Sequence, residues 1–208
     1  MIDTIIVAIL AVAAFFLGAC PFSLWIGRAR LRKDIREVGD GNPGAANVFK
    51  AGGKVWGVVA LIADILKGIP FILIALYVFN YSQPVGYVIA VCAVLGHAFS
   101  PFLGFHGGKA LAVFAGTLVA LSQWDVIICL AILFLIGFLF INNDAWTVIC
   151  GMVVTLVYLA VTGADIWKLV FMLCITAILL IKHFQALKAS PGASGRFLNW
   201  MRSRKKTA

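Results

Sequence analysis

Seven apolar runs separated by short polar stretches make up most of this chain: roughly residues 4–27, 55–79, 85–100, 109–122, 124–141, 145–161 and 164–183. A helix needs about 20 apolar residues to cross the hydrocarbon core of a bilayer. Backbone in that core has to satisfy its own hydrogen bonds, so runs of this kind are read as helices. The pattern predicts an all-α, polytopic membrane helix bundle of about seven transmembrane helices. The third and fourth runs are short, and the count falls to five or six if they are half-inserted or buried inside the bundle. The first run lacks a positively charged start, since Asp3 is its only early charge. It is long enough to span and reads as a helix, not a signal peptide.

Composition agrees with the pattern. Of 208 residues, 63% are hydrophobic and 12% charged, against about a quarter charged in a soluble domain. The expectation is a single integral membrane domain over residues 1–208, with polar loops at about 28–54 and 101–109 and a basic tail at 184–208. Five cysteines each lie in an apolar run without a CxxC pair, and they read as small buried hydrophobes, not disulfides or metal ligands.

The net charge of +9 is concentrated. Arg28, Arg30, Arg32, Lys33, Arg36, Lys50 and Lys54 fall in the first polar segment, and Lys182, Lys188, Arg196, Arg202, Arg204, Lys205 and Lys206 near the C-terminus. Basic loops mark the cytoplasmic side, so both segments are expected there, with an outside N-terminus and a cytoplasmic C-terminus. The turns at Tyr81-Ser82-Gln83, Ser122-Gln123 and Thr162–Asp165 carry no Lys or Arg, as outer turns should. Asn142-Asn143-Asp144 falls on the cytoplasmic side without basic residues. With no soluble domain to carry it, nucleic-acid binding is not indicated. Anionic headgroups and phosphorylated substrates account better for the charge.

Two glycine-rich loops carry the candidate chemistry. The first runs Gly39-Asp40-Gly41-Asn42-Pro43-Gly44-Ala45-Ala46-Asn47, followed by Lys50; the second runs Gly104-Phe105-His106-Gly107-Gly108-Lys109. Backbone without side chains folds readily into concave sets of N–H donors that cradle phosphate, and Lys109 at the start of the fourth helix would hold an anion beside them. The same residues also read as tight turns. The spacing is not that of a nucleotide-binding loop, because no Ser or Thr follows Lys109. His97 stands open as ligand, base or structural histidine. Asp64 and Lys67, three apart inside the second run, share a helix face. They are either a structural ion pair or part of a site. His183 closes the last run.

In order along the chain, Gly39-x-Gly41-Asn42-Pro43-Gly44-Ala45-x-Asn47, Asp64-x-x-Lys67-Gly68, Gly96-His97-x-Phe99-x-Pro101-Phe102 and Phe105-x-Gly107-Gly108-Lys109 resemble the bacterial membrane glycerol-3-phosphate acyltransferases that use acyl phosphate, the PlsY family. The resemblance is densest over residues 20–110. It implies transfer of an acyl group from acyl phosphate to the sn-1 hydroxyl of glycerol 3-phosphate, without cofactor or metal. It also implies a bacterial inner-membrane location, a site on the cytoplasmic face, and a monomer. Carried over residue by residue, Asp40, Lys109 and His183 are the expected catalytic residues. Gly41, Asn42, Gly44, Asn47, Lys50, Lys67, His97, Gly107 and Gly108 are expected to bind phosphate and substrate. The chain departs from the family pattern where that pattern has serine (Asp40), threonine (Ala46), arginine (Lys50), glycine (Ala110) and asparagine (Ala186), and its tail has no glutamate. An acyltransferase with another acceptor, or a non-catalytic protein that binds lipid or anions, are the alternatives.

Overall fold

The computed structural model describes residues 1–192; the expected membrane-apposed part of the tail, including Phe197, Leu198, Trp200 and Met201, lies outside them. Helices account for most of the described residues, with no strand among them. They are α1 (Ile2–Ala19), α2 (Phe22–Ile26), α3 (Ala45–Lys50), α4 (Lys54–Leu66), α5 (Pro70–Leu73), α6 (Gln83–Ala98), α7 (Leu111–Ala120), α8 (Trp124–Phe140), α9 (Asp144–Val161) and α10 (Ile166–Leu187). Two π-helical turns, Gly27–Leu31 and Ile74–Val78, prolong α2 and α5.

Five helical segments are long and apolar enough to cross a membrane: Ile2–Leu31, Lys54–Val78, Gln83–Leu103, Asp144–Val161 and Ile166–Leu187. The other two apolar runs form the shorter helices α7 and α8. At 1.5 Å per residue, the ten residues of α7 extend only about 15 Å. Its start also differs from expectation. The helix begins at Leu111, not Lys109, because Ala110 takes a left-handed conformation, φ 62°, which an α-helix cannot incorporate.

The chain divides into two compact units, Met1–Gln123 and the part from Trp124 onward. In the first, α1 and α6 pack closely through small residues. A β-carbon on Gly18 would lie 2.1 Å from the Ala93 carbonyl oxygen, and one on Gly96 would lie 1.9 Å from that of Phe15. The Tyr81 hydroxyl donates to Asp3 (3.1 Å) and the Gln83 amide to the Leu121 carbonyl (3.0 Å), which gathers the N-terminus and two turns at one end of this unit. The segment 28–54 is not a bare loop. Ile35 and Val48, both fully buried, join Leu24, Ala45, Ala51 and Ala60 in an apolar cluster that fixes the first glycine loop against α4. Arg36 and Arg28 both bond Asp34 at 2.7 Å and hold its carboxyl well below the usual range.

In the second unit, Asp125 pairs with Lys168 at 2.6 Å at one end. At the other, Asn143 donates to the Ala186 carbonyl (2.8 Å), and the Asn142 and Asn143 N–H groups bond Pro191. The polar turn 142–144 thus caps the end of α10. The cysteines correct one expectation: none is buried. Cys20, Cys92 and Cys129 are half-buried, and Cys150 and Cys174 exposed. On a membrane helix the outward face meets lipid, so a small apolar residue there has no need of protein cover.

Candidate functional site

The site begins with an interrupted helix. Pro21 has no N–H to donate, and α1 stops at Ala19 before restarting at Phe22. The carbonyls freed by that break are claimed by side chains from elsewhere. Ser100 Oγ donates to the Ala19 oxygen (2.6 Å) and Lys67 Nζ to that of Cys20 (2.7 Å). Lys67 Nζ also lies 2.8 Å from Asp64 Oδ1, and Ser23 Oγ donates to Asp64 Oδ2 at 2.5 Å. The two charged side chains are 1% and 2% exposed. They form a buried structural ion pair, and Asp64 also reaches the wall of the cleft described next. Lys67, expected to bind phosphate, is committed to this network.

Above it lies a cleft of about 180 Å³ whose lining includes Asn42, Gly44, Asp64, His97, Lys109 and Leu111. A second cavity of about 10 Å³, lined by Cys20, Pro43, Asp64, Lys67, His97 and Gly108 among others, has room for about one water. Asp64 and His97 belong to both. The two glycine loops meet here. Lys109 Nζ lies 2.7 Å from Asp40 Oδ2. The other carboxylate oxygen accepts from Asn47 Nδ2 (2.9 Å) and from the Asn42 N–H (3.3 Å). Asn47 is 1% exposed and donates its second amide hydrogen to the Asn42 carbonyl (2.8 Å). Burial pushes the Asp40 carboxyl up, but Lys109, Asn47 and the Asn42 N–H outweigh it and hold the group at about 2.

The glycines act through shape more than through free donors. Gly39 and Gly41 have φ of 65° and 73°, where a side chain would be strained. The Gly41 N–H bonds Val38, that of Gly44 bonds Asn42, and that of Gly108 bonds the His97 carbonyl. A β-carbon on Gly107 would sit 1.9 Å from the His97 carbonyl oxygen, and one on Gly108 would sit 2.2 Å from His97 Nε2. The second loop is therefore pressed flat against the end of α6, which aims Lys109 at the first loop. Lys50 is exposed and lies beside Gly39. His183 belongs to the second unit, where it is 2% exposed with Nδ1 2.8 Å from the Leu179 oxygen.

A family model described as glycerol-3-phosphate acyltransferase matches residues 8–190. The chain belongs to the glycerol-3-phosphate acyltransferase family. A member from Endomicrobium trichonymphae is 34% identical over 180 residues, spanning 85% of this chain and 88% of that one. One from Streptococcus gordonii is 32% identical over 208 residues, spanning 96% and 95%. The fold matches the crystal structure of PlsY, an integral membrane glycerol 3-phosphate acyltransferase, in its glycerol 3-phosphate form. The TM-score is 0.78 at 31% identity, over 88% of this chain and 90% of that one. The lysophosphatidic acid form of PlsY matches with a TM-score of 0.76. As a member of this family the chain is a multi-pass membrane protein.

The sequence does not announce Ser100, whose hydroxyl caps the helix break, or Ser23, whose hydroxyl holds Asp64. Pro21 inside an apolar run was the available signal for the break.

Proposed function

We propose that this protein is an acyltransferase that moves a fatty acyl group from acyl phosphate to the sn-1 hydroxyl of glycerol 3-phosphate, giving lysophosphatidic acid and inorganic phosphate. The observation that carries the reading is the convergence of Lys109 Nζ, Asn47 Nδ2 and the Asn42 N–H on one anionic group, with Lys109 and Asn42 lining the cleft. The same donors suit a phosphate, which both substrates bear. Charge-assisted bonds of this kind are about twice as strong as neutral ones. Relatives named for this activity, and a related enzyme solved in glycerol 3-phosphate and lysophosphatidic acid forms, support it.

The chemistry asks little of the protein. The hydroxyl oxygen bonds to the acyl carbon while the bond from that carbon to the phosphate oxygen breaks, and phosphate departs carrying the proton that the hydroxyl gives up. Phosphate is a good leaving group, so positioning and charge stabilisation suffice without a covalent enzyme intermediate. Lys109 holds the phosphate, and the flattened Gly107–Gly108 segment keeps that lysine in place. Asp40 is a weak base while Lys109 holds it. The acyl chain lies among helices, and the site faces the cytoplasm from the inner membrane of a bacterium, in a seven-helix topology with the N-terminus outside. The exposed cations of the 28–54 segment lie near this loop and favour the cytoplasmic side.

The test is phosphate release by the purified protein in lipid, given palmitoyl phosphate with and without glycerol 3-phosphate. Release that depends on the acceptor and disappears in Lys109→Ala is the expected result. Release that ignores both the acceptor and the substitution would sink the assignment.

A further inference from the structure

The group on which the three donors converge is part of the protein. Asp40 occupies, with one carboxylate, the donors assigned above to a substrate phosphate, and it does so from one glycine loop to the other, 69 residues apart in sequence. The contact differs in kind from the Asp64–Lys67 pair beneath it. That pair is almost wholly buried, and breaking it leaves a charge with nowhere to go. Lys109 and Asp40 keep 32% and 43% of their side-chain surface exposed. Water and solute reach both partners, so the bridge is easily exchanged and contributes little to stability. Asn42 and Lys109 line the cleft, so an anion entering it meets two of the three residues that hold Asp40.

Charge and geometry decide which anion wins. A carboxylate presents two oxygens and one negative charge. A phosphate dianion presents three oxygens and two charges, and it gains more from an ammonium and two N–H donors. A monoanion such as chloride brings no more charge than Asp40 already supplies, and it gains nothing by replacing a carboxylate that the loop holds in place at no cost in translational freedom.

We propose that Asp40 is a built-in competitor for the phosphate seat, a specificity-determining residue that a substrate phosphate must displace from Lys109 and that excludes weaker anions. The proposal rests on the phosphate reading of the cleft given above. Displacement leaves the carboxylate beside the bound phosphate, where like charges repel. Product phosphate is thereby released more readily, and Asp40 returns to Lys109 as it leaves.

The experiment measures binding without turnover. Full-length protein in detergent is titrated calorimetrically with inorganic phosphate at pH 8, where the dianion predominates, as parent, Asp40→Asn, Asp40→Ser, Lys109→Ala and the Asp40→Asn/Lys109→Ala double variant. Removing one negative charge a few ångströms from a dianion should tighten phosphate binding about tenfold in Asp40→Asn. Asp40→Ser should move in the same direction, which guards against a local folding defect in either variant. The gain should shrink to less than about threefold once Lys109 is gone, since the contested donor is then absent. Chloride should compete more strongly in Asp40→Asn than in the parent. Equal or weaker phosphate binding in both Asp40 variants overturns the proposal while leaving acyl transfer standing. Absence of phosphate binding in every form overturns both.

Discussion

Replacing Lys67 with methionine tests whether the buried network under the cleft holds this half of the molecule together. Methionine keeps most of the apolar stem and removes the ammonium. Asp64 then loses its counter-ion at 2.8 Å and the Cys20 carbonyl its donor at 2.7 Å. With the pair 1% and 2% exposed, water cannot replace the lost cation cheaply. Removing one partner of a buried ion pair costs about 3–5 kcal/mol. At about 2–4 °C per kcal/mol for a chain of this size, the midpoint of thermal unfolding should fall by roughly 6–20 °C. The assay is tryptophan fluorescence of the purified protein heated in a fixed detergent. The double variant Asp64→Leu/Lys67→Met removes both charges. It should lose much less than the sum of the two single substitutions, by about 2 kcal/mol or more, because neither charge is then left alone. A midpoint within about 2 °C of the parent in Lys67→Met, or strict additivity in the double variant, would refute the view that this pair is a coupled structural unit.

Two further outcomes follow from the second glycine loop. Gly107→Ala places a methyl group 1.9 Å from the His97 carbonyl oxygen and 2.8 Å from that of Ala98. Backbone on both sides cannot yield without moving the loop, so Lys109 shifts. An ångström of misplacement costs about a hundredfold in rate, to be read as acceptor-dependent phosphate release at unchanged expression. Ala110 already sits at φ 62° and 1% exposure. Ala110→Gly relieves about 1–2 kcal/mol of left-handed strain but gives up about 0.8 kcal/mol of buried methyl and some chain entropy. Its unfolding midpoint should stay within a few degrees of the parent, whereas β-branched Ala110→Val should lower it by more than about 5 °C.

What the residues announce on their own, and what they do not, separates along a physical line. Apolar runs announce helices because length and hydropathy are local, and the i, i+3 spacing of Asp64 and Lys67 announces their pairing because helix geometry is local too. The break at Pro21 is legible only in part. A proline forbids one hydrogen bond, but nothing near it in sequence says that Ser100 and Lys67 arrive to satisfy the freed carbonyls. The start of α7 was misread by two residues, because composition does not reveal that Ala110 adopts a glycine-like conformation. The glycine loops are legible as polar tight turns. The sequence suggested N–H groups aimed at a ligand, whereas several are spent on Val38, Asn42 and His97, since a loop must first satisfy its own backbone. Asp40 shows the division most sharply. Read locally, an acidic residue in an anion-binding loop weakens the case for that loop. Placed in the fold, its carboxylate draws a lysine from the other loop, a buried amide and a backbone N–H onto itself. Two of these donors come from its own loop and the third, Lys109, from the other, so the carboxylate ties the two glycine loops together. The residue that departs from the family's serine in the sequence is therefore the one that joins the two glycine loops in the structure.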